Sequence, residues 1–194
     1  MAANVCLVSP ETTEGPFYVD PRLVRRDIRE GRPGVPLALT LQVVDTDCRP
    51  VAGARVDVWH CDAAGSYSGV RQPGGVDTVG ETFLRGTQAT DAEGVARFAT
   101  IWPGWYRGRT PHVHLKVFLD AETALTSQLF FPDGVSEALY QGAAPYAERG
   151  APDTPNARDG IARRAGAAAV GQVEGDAMGM RVALVLGIAA DGLG

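Results

Sequence analysis

Residues 102–118, W-P-G-W-Y-R-G-R-T-P-H-V-H-L-K-V-F, limit the fold more than any other stretch of the chain. A Pro-Gly turn leads into an apolar run headed by His112 and His114, two of the three histidines present. In a strand such residues project from the same face, their Cα atoms about 6.5–7 Å apart. The pair is compatible with one shared metal ion and also with the polar side of an ordinary half-buried strand. Tyr106 and Arg109 stand just ahead of it.

The rest of the chain repeats this strand-and-turn grammar. Residues 37–45 and 54–60 alternate apolar with polar across a turn at 46–50, which predicts neighbouring strands joined by that turn. Further strands are expected at 95–101, 112–119 and 125–131. A fully apolar strand suited to a sheet centre is expected at 180–188. Residues 22–32 suggest one helical turn and 135–140 a short helix, while 61–82 and 141–159 read as loop and ordered surface excursion. Many short strands with almost no helical periodicity make this an all-β sandwich or barrel. One domain is expected over 1–194, with 1–33 an irregular segment packed on it. Phe17 and Tyr18, too apolar for water, place part of that segment across the surface or over a pocket mouth.

Charge narrows the partners. A net charge of -5 argues against a nucleic-acid surface, and no apolar run approaches the length of a membrane span. A small molecule is the expected partner. The N-terminus shows no signal-like apolar region, so the expected location is cytoplasmic, with export if a leader has been removed. Cys6, Cys48 and Cys61 lack metal-type spacing and are odd in number, which leaves room for one disulfide.

Of five tyrosines, two occupy unusual places. Tyr67 lies in a Gly-flanked loop after a strand, and Tyr106 in the Pro-Gly turn before the histidines. Each alone reads as well as a packing lid. Together with the imidazoles, two phenolates would form a hard, anionic donor set suited to Fe(III), unlike the two-histidine, one-carboxylate set of Fe(II) oxygenases.

At this point the chain resembles the intradiol ring-cleavage dioxygenases, the family of catechol 1,2-dioxygenases and protocatechuate 3,4-dioxygenases. The resemblance is carried by E-G-P-F-Y at 14–18, P-V-A-G-A-R-V-D-V-W-H at 50–60 and A-G-S-Y at 64–67. It continues in P-G-W-Y at 103–106, R-T-P-H-V-H at 109–114 and Q-L-F-F-P at 128–132, in the family's order.

It implies a two-sheet β-sandwich with long loops and little helix. Tyr67, Tyr106, His112 and His114 would hold a non-haem Fe(III), with Tyr106 and His112 axial and Tyr67 and His114 equatorial. Arg109 and Gln128 would stand beside a bound catechol, while Gly15, Pro16, Phe17 and Trp105 would line its pocket. The implied reaction is O2-dependent ring opening to a cis,cis-muconate-type diacid. No long helical N-terminal region of the kind that dimerises catechol 1,2-dioxygenases is seen, so that interface is not carried over, and a homo-oligomer stays compatible with the sequence.

Two other readings compete. The 50–59 stretch also resembles transthyretin-like and carboxypeptidase-regulatory modules, which are non-enzymatic. Alternatively His112, His114 and His60 would hold zinc or copper. His60, outside the tyrosine and histidine blocks, reads as structural.

Overall fold

Alternation becomes strand wherever one side chain in two must be hidden from water. The computed structural model describes residues 7–20, 22–72, 76–120, 122–176 and 178–189. Its strands are β1 (Pro36–Val44), β2 (Arg55–Trp59), β3 (Arg85–Ala89), β4 (Val95–Ile101), β5 (His112–Leu119), β6 (Glu122–Phe130), β7 (Gln172–Asp176) and β8 (Gly179–Gly187). They form two four-stranded sheets in the orders β4-β1-β8-β7 and β3-β2-β5-β6. All pairings are antiparallel except β1 with β8. Among the described residues helix is confined to α1 (Asp133–Gly142), α2 (Gly160–Ala165) and two single 3-10 turns.

Between the sheets lie Leu37, Leu39, Leu41 and Val43 of β1, facing Val56 and Val58 of β2 and Val113, Leu115 and Val117 of β5. Each of these fully buried side chains contributes about 1.5–3 kcal/mol of transfer free energy. On β5 the odd residues therefore enter the sandwich, and His112, His114 and Lys116 face the other way. That second face is also covered. Residues 9–20 form a strap that starts on β8 of the first sheet, with Ser9 N–H to the Gly187 carbonyl (2.8 Å), and then crosses this face, with Thr12 N–H to the Thr126 carbonyl (2.9 Å). Side chains continue the attachment. The Ser127 hydroxyl donates to the Pro10 carbonyl at 2.7 Å, Lys116 pairs with Glu14, and the Tyr18 hydroxyl donates to Asp57 at 2.9 Å.

Several expectations need correction. β1 and β2 are not neighbours, because the turn at 46–50 carries the chain from one sheet to the other. The reason is that β2 has Val56 and Val58 in the core while Asp57 and Trp59 on its opposite face are buried under the strap, and only the sheet with β5 offers both covers. Residues 22–32 form no helical turn. They run extended instead, with Val24 bridging Thr87 of β3 and Asp27 bridging Ala99 of β4, and so tie an edge of each sheet to the other. β3, β7 and α2 were not foreseen, and β6 begins at Glu122, ahead of the expected start at 125. β8 does lie between β1 and β7, yet it alternates, with Arg181, Ala183 and Val185 exposed.

The 141–159 excursion is more than surface. Tyr146 is fully buried and donates its hydroxyl to the Trp102 carbonyl at 2.6 Å. Among the described residues no helix is long and apolar enough to cross a membrane. Cys48 is disulfide-bonded, and Cys61 is free and buried. Cys6 lies outside the described residues.

His60 is buried, with its ring nitrogens on the Cys61 carbonyl (2.8 Å) and the Thr100 hydroxyl (2.7 Å). Burial pushes its pKa down to about 4. An unfolded histidine titrates near 6.5, so below that pH the unfolded chain binds the extra proton. Stability from this group is complete above about pH 6.5 and is lost as pH falls toward 4, at about 1.4 kcal/mol per pH unit. Urea unfolding at pH 7.5, 5.5 and 4.5 should show stability falling with pH, with a slope smaller in His60→Gln by about 1.4 kcal/mol per pH unit. An identical slope in the variant contradicts this account.

Candidate metal centre

One row across the second sheet builds the floor of the site. Trp59 of β2, His114 of β5 and Gln128 of β6 are register partners. Trp59 stacks on the His114 ring, 4.9 Å between centroids and 10° between planes. His112 stands two residues away on the same face, its Nε2 3.1 Å from His114 Nε2. Two loops complete the group. Tyr67, after β2, brings its hydroxyl to 3.3 Å from His112 Nε2, and Tyr106, between β4 and β5, brings its own to 3.1 Å.

The Tyr106 loop is anchored at its root. Trp102 is buried against Phe131, and the Tyr140 hydroxyl donates to the Pro103 carbonyl at 2.5 Å. Gly104 then lets the two tyrosine loops touch, since a Cβ there would lie 2.3 Å from the Asp62 carbonyl oxygen. No larger residue fits.

Four donors thus meet around one point. Separations of 3.1–3.3 Å suit neighbouring positions around one ion with bonds of about 2.1 Å, so Tyr106 and His112, expected as an axial pair, stand closer than the roughly 4.2 Å that opposite positions need. His112 donates Nδ1–H to the Thr110 carbonyl (2.7 Å), which leaves the Nε2 lone pair facing its three partners. Two imidazole nitrogens and two phenolic oxygens form a hard, mixed donor set that fits a ferric ion. Burial, then Arg109, pushes the His112 pKa down to about 3, and burial, then His112, holds His114 well below its usual range. Both rings are therefore neutral and able to bind a metal at pH 7. Burial raises the Tyr67 and Tyr106 phenols, so their ionisation here needs a cation. Among the described residues no group of three or more His, Cys, Asp or Glu side chains is placed to hold an ion, because half of this donor set is tyrosine. His60 is engaged elsewhere and does not join His112 and His114, which removes the basis for the zinc or copper reading.

Arg109 borders the four. Its Nε–H donates to Asp159 at 2.7 Å, one terminal nitrogen to Gln128 Oε1 at 2.5 Å and the other to the Tyr106 hydroxyl at 3.4 Å. Gln128, fully buried, donates in turn to the Thr13 carbonyl of the strap at 2.9 Å. Gly15, at φ +72°, lies against the His114 ring, where a Cβ would come within 3.3 Å of Cε1. Phe17 packs on Tyr67 with centroids 4.8 Å apart. Pro16 is exposed between them. Trp105 is placed otherwise. Its indole N–H donates to the Gly150 carbonyl (3.0 Å), and the Arg149 guanidinium covers the ring. Asp159 is the member that sequence reasoning missed. Its position ahead of α2 carried a helix-cap signal, but nothing in the sequence tied it to Arg109.

Comparison with known proteins identifies the family. A family model described as Dioxygenase matches residues 9–138. Catechol 1,2-dioxygenase 1 of Acinetobacter lwoffii is 32% identical over 143 residues, 62% of this chain and 45% of the relative. The protocatechuate 3,4-dioxygenase beta chain of Burkholderia cepacia is 34% identical over 125 residues, 59% of this chain and 52% of that one. The chain thus spans about half the length of the curated relatives it matches. Among solved structures, an intradiol ring-cleavage dioxygenase from Tetranychus urticae superposes with TM-score 0.88 at 31% identity, covering 96% of this chain and 97% of that one. The dioxygenase domain of a carbohydrate-binding fusion protein from Streptomyces sp. SirexAA-E gives TM-score 0.69 at 26% identity, over 94% and 98%.

Proposed function

The chain belongs to the intradiol ring-cleavage dioxygenase family, and from that premise we propose that it holds a non-haem Fe(III) and uses O2 to open a catechol-type ring. The product is a cis,cis-muconate-type diacid. The observation that carries this reading is the meeting of Tyr67, Tyr106, His112 and His114 at one buried point, with His112 Nε2 within 3.1–3.3 Å of the other three donors.

When bound, the ferric ion supplies the positive charge that keeps both catechol oxygens deprotonated and makes the electron-rich ring reactive toward O2. The chain's own groups do the rest. Tyr106, the less buried of the two phenols, stands on the open side, where its oxygen can take a proton from an incoming hydroxyl. Arg109 holds a fixed guanidinium beside that oxygen and stabilises negative charge as the ring loses aromaticity. Gln128 fixes the guanidinium from behind, through its bond to the strap. Gly15 leaves room above His114, and Phe17 walls the Tyr67 side, with Pro16 and Trp105 at the margins. Water is kept out because Tyr67, His112, His114 and Gln128 are all buried.

Loading the full chain with ferric iron should give a red-brown tyrosinate band that anaerobic catechol shifts. Admission of O2 should then yield a ring-opened diacid carrying both oxygen atoms. A colourless iron complex, or unchanged catechol after O2, overturns the reading. A panel of catechol, protocatechuate, hydroxyquinol and lignin-derived catechols identifies the preferred ring. A transthyretin-like binding module has no use for four such donors on one point.

A further inference from the structure

The loop that carries Arg109 is gripped by a segment C-terminal to the region matched by the family model, which ends at residue 138. Three side chains of residues 153–159 reach it. Asp153 accepts from Gly108 N–H at 3.1 Å, and Asn156 accepts from the Thr110 hydroxyl at 2.9 Å. Asp159 Oδ2 accepts from both Arg109 Nε–H at 2.7 Å and Thr110 N–H at 3.1 Å.

The grip is itself anchored. Asn156 donates its side-chain amide to the Phe131 carbonyl at 2.7 Å and its backbone N–H to Asp133 at 3.0 Å, at the junction of β6 and α1. Asp159 Oδ1 caps α2, accepting from Ile161 N–H at 2.8 Å and Ala162 N–H at 3.2 Å. Every oxygen of this carboxylate is thus committed, and only 1% of the side chain is exposed.

Resting on the function proposed above, we propose that Asp159 is a positioning residue for the ring-opening reaction: it holds the Arg109 guanidinium at the Tyr106 oxygen. Free of this tie, a long arginine side chain samples many rotamers, and its charge no longer sits where charge builds up. The fixed cation is worth more than a mobile one because it needs no reorganisation during the reaction.

Asp159→Asn separates the two jobs of the carboxylate. The amide oxygen can still cap α2, while the NH2 turned toward Arg109 Nε–H offers a donor where an acceptor is needed. In the iron-loaded full chain, kcat should fall about 100-fold, the scale of loss from an ångström-sized misplacement. The anaerobic binding constant for 4-nitrocatechol should change by less than about 3-fold, since metal chelation is left in place. In an Arg109→Met background the substitution should cost no further activity, because the group it positions is gone. In the iron-free protein, a slowly exchanging arginine Nε–H signal should disappear from the nitrogen-correlated NMR spectrum of Asp159→Asn.

Losses that multiply between Asp159→Asn and Arg109→Met overturn the inference, as does a kcat within 2-fold of the parent or an unchanged Nε–H signal. A parent that takes up no ferric iron or shows no tyrosinate band overturns instead the function on which it rests.

Discussion

His112→Ala will leave a folded, colourless protein that retains no ferric iron and opens no catechol. The expectation follows from geometry, because His112 Nε2 lies within 3.3 Å of each of the other three donors. Loss of an outer support such as the Thr110 carbonyl typically costs 10–100-fold in metal affinity, and loss of the ligand itself should cost more than about 100-fold. Iron analysis and the visible spectrum after ferric loading provide the check, with far-UV circular dichroism confirming the sheets. Tyr106→Phe makes a graded companion, expected to keep iron through three donors and to show a weaker band. A brown, active His112→Ala would mean that the metal lies elsewhere.

Arg109→Met is expected to do damage of two kinds. Turnover should fall about 10²–10³-fold, the range seen when one preorganised stabiliser of developing charge is removed. Iron and colour should remain, since Arg109 is not among the four donors. Stability should also fall, by about 3 kcal/mol at pH 7, because Asp159 is left buried without its cation. Burial alone would push the Asp159 carboxyl upward, and the Arg109 guanidinium outweighs it to hold that carboxyl below its usual range. Its folded pKa is therefore depressed, so its contribution is present above the unfolded value near 3.9 and is lost as pH falls through the lower folded value. Adding Asp159→Asn to Arg109→Met should restore stability in urea without restoring turnover. Recovery of both would show that Arg109 serves only the fold.

How much of this was legible in the sequence depends on the range of the interaction concerned. His112 and His114 share a face because of a two-residue period, and β5 begins at His112 as the alternation indicates. The other site residues were named through motif blocks whose spatial meeting no local pattern supplies. β3, R-G-T-Q-A, lacks an apolar alternation of its own and becomes a strand by lying beside β2. β1 and β2 look like a hairpin because the turn between them is real. What decides their sheets is that both faces of β2 are covered, a property of segments far away in the chain. Asp159 stayed hidden for the same reason, since its partner Arg109 lies fifty residues earlier.

All of the converging donors, with Arg109 and Gln128, come from β5, β6 and the loops flanking the second sheet. The sheet β4-β1-β8-β7 contributes none of them. Its outward side chains, such as Thr40, Gln42 and Val185, border a shallow surface groove of about 420 Å³. Engineering can therefore use that side as a handle. Immobilisation on a support, or recolouring the surface charge for solubility, should be tolerated there with little change in the ring-opening rate.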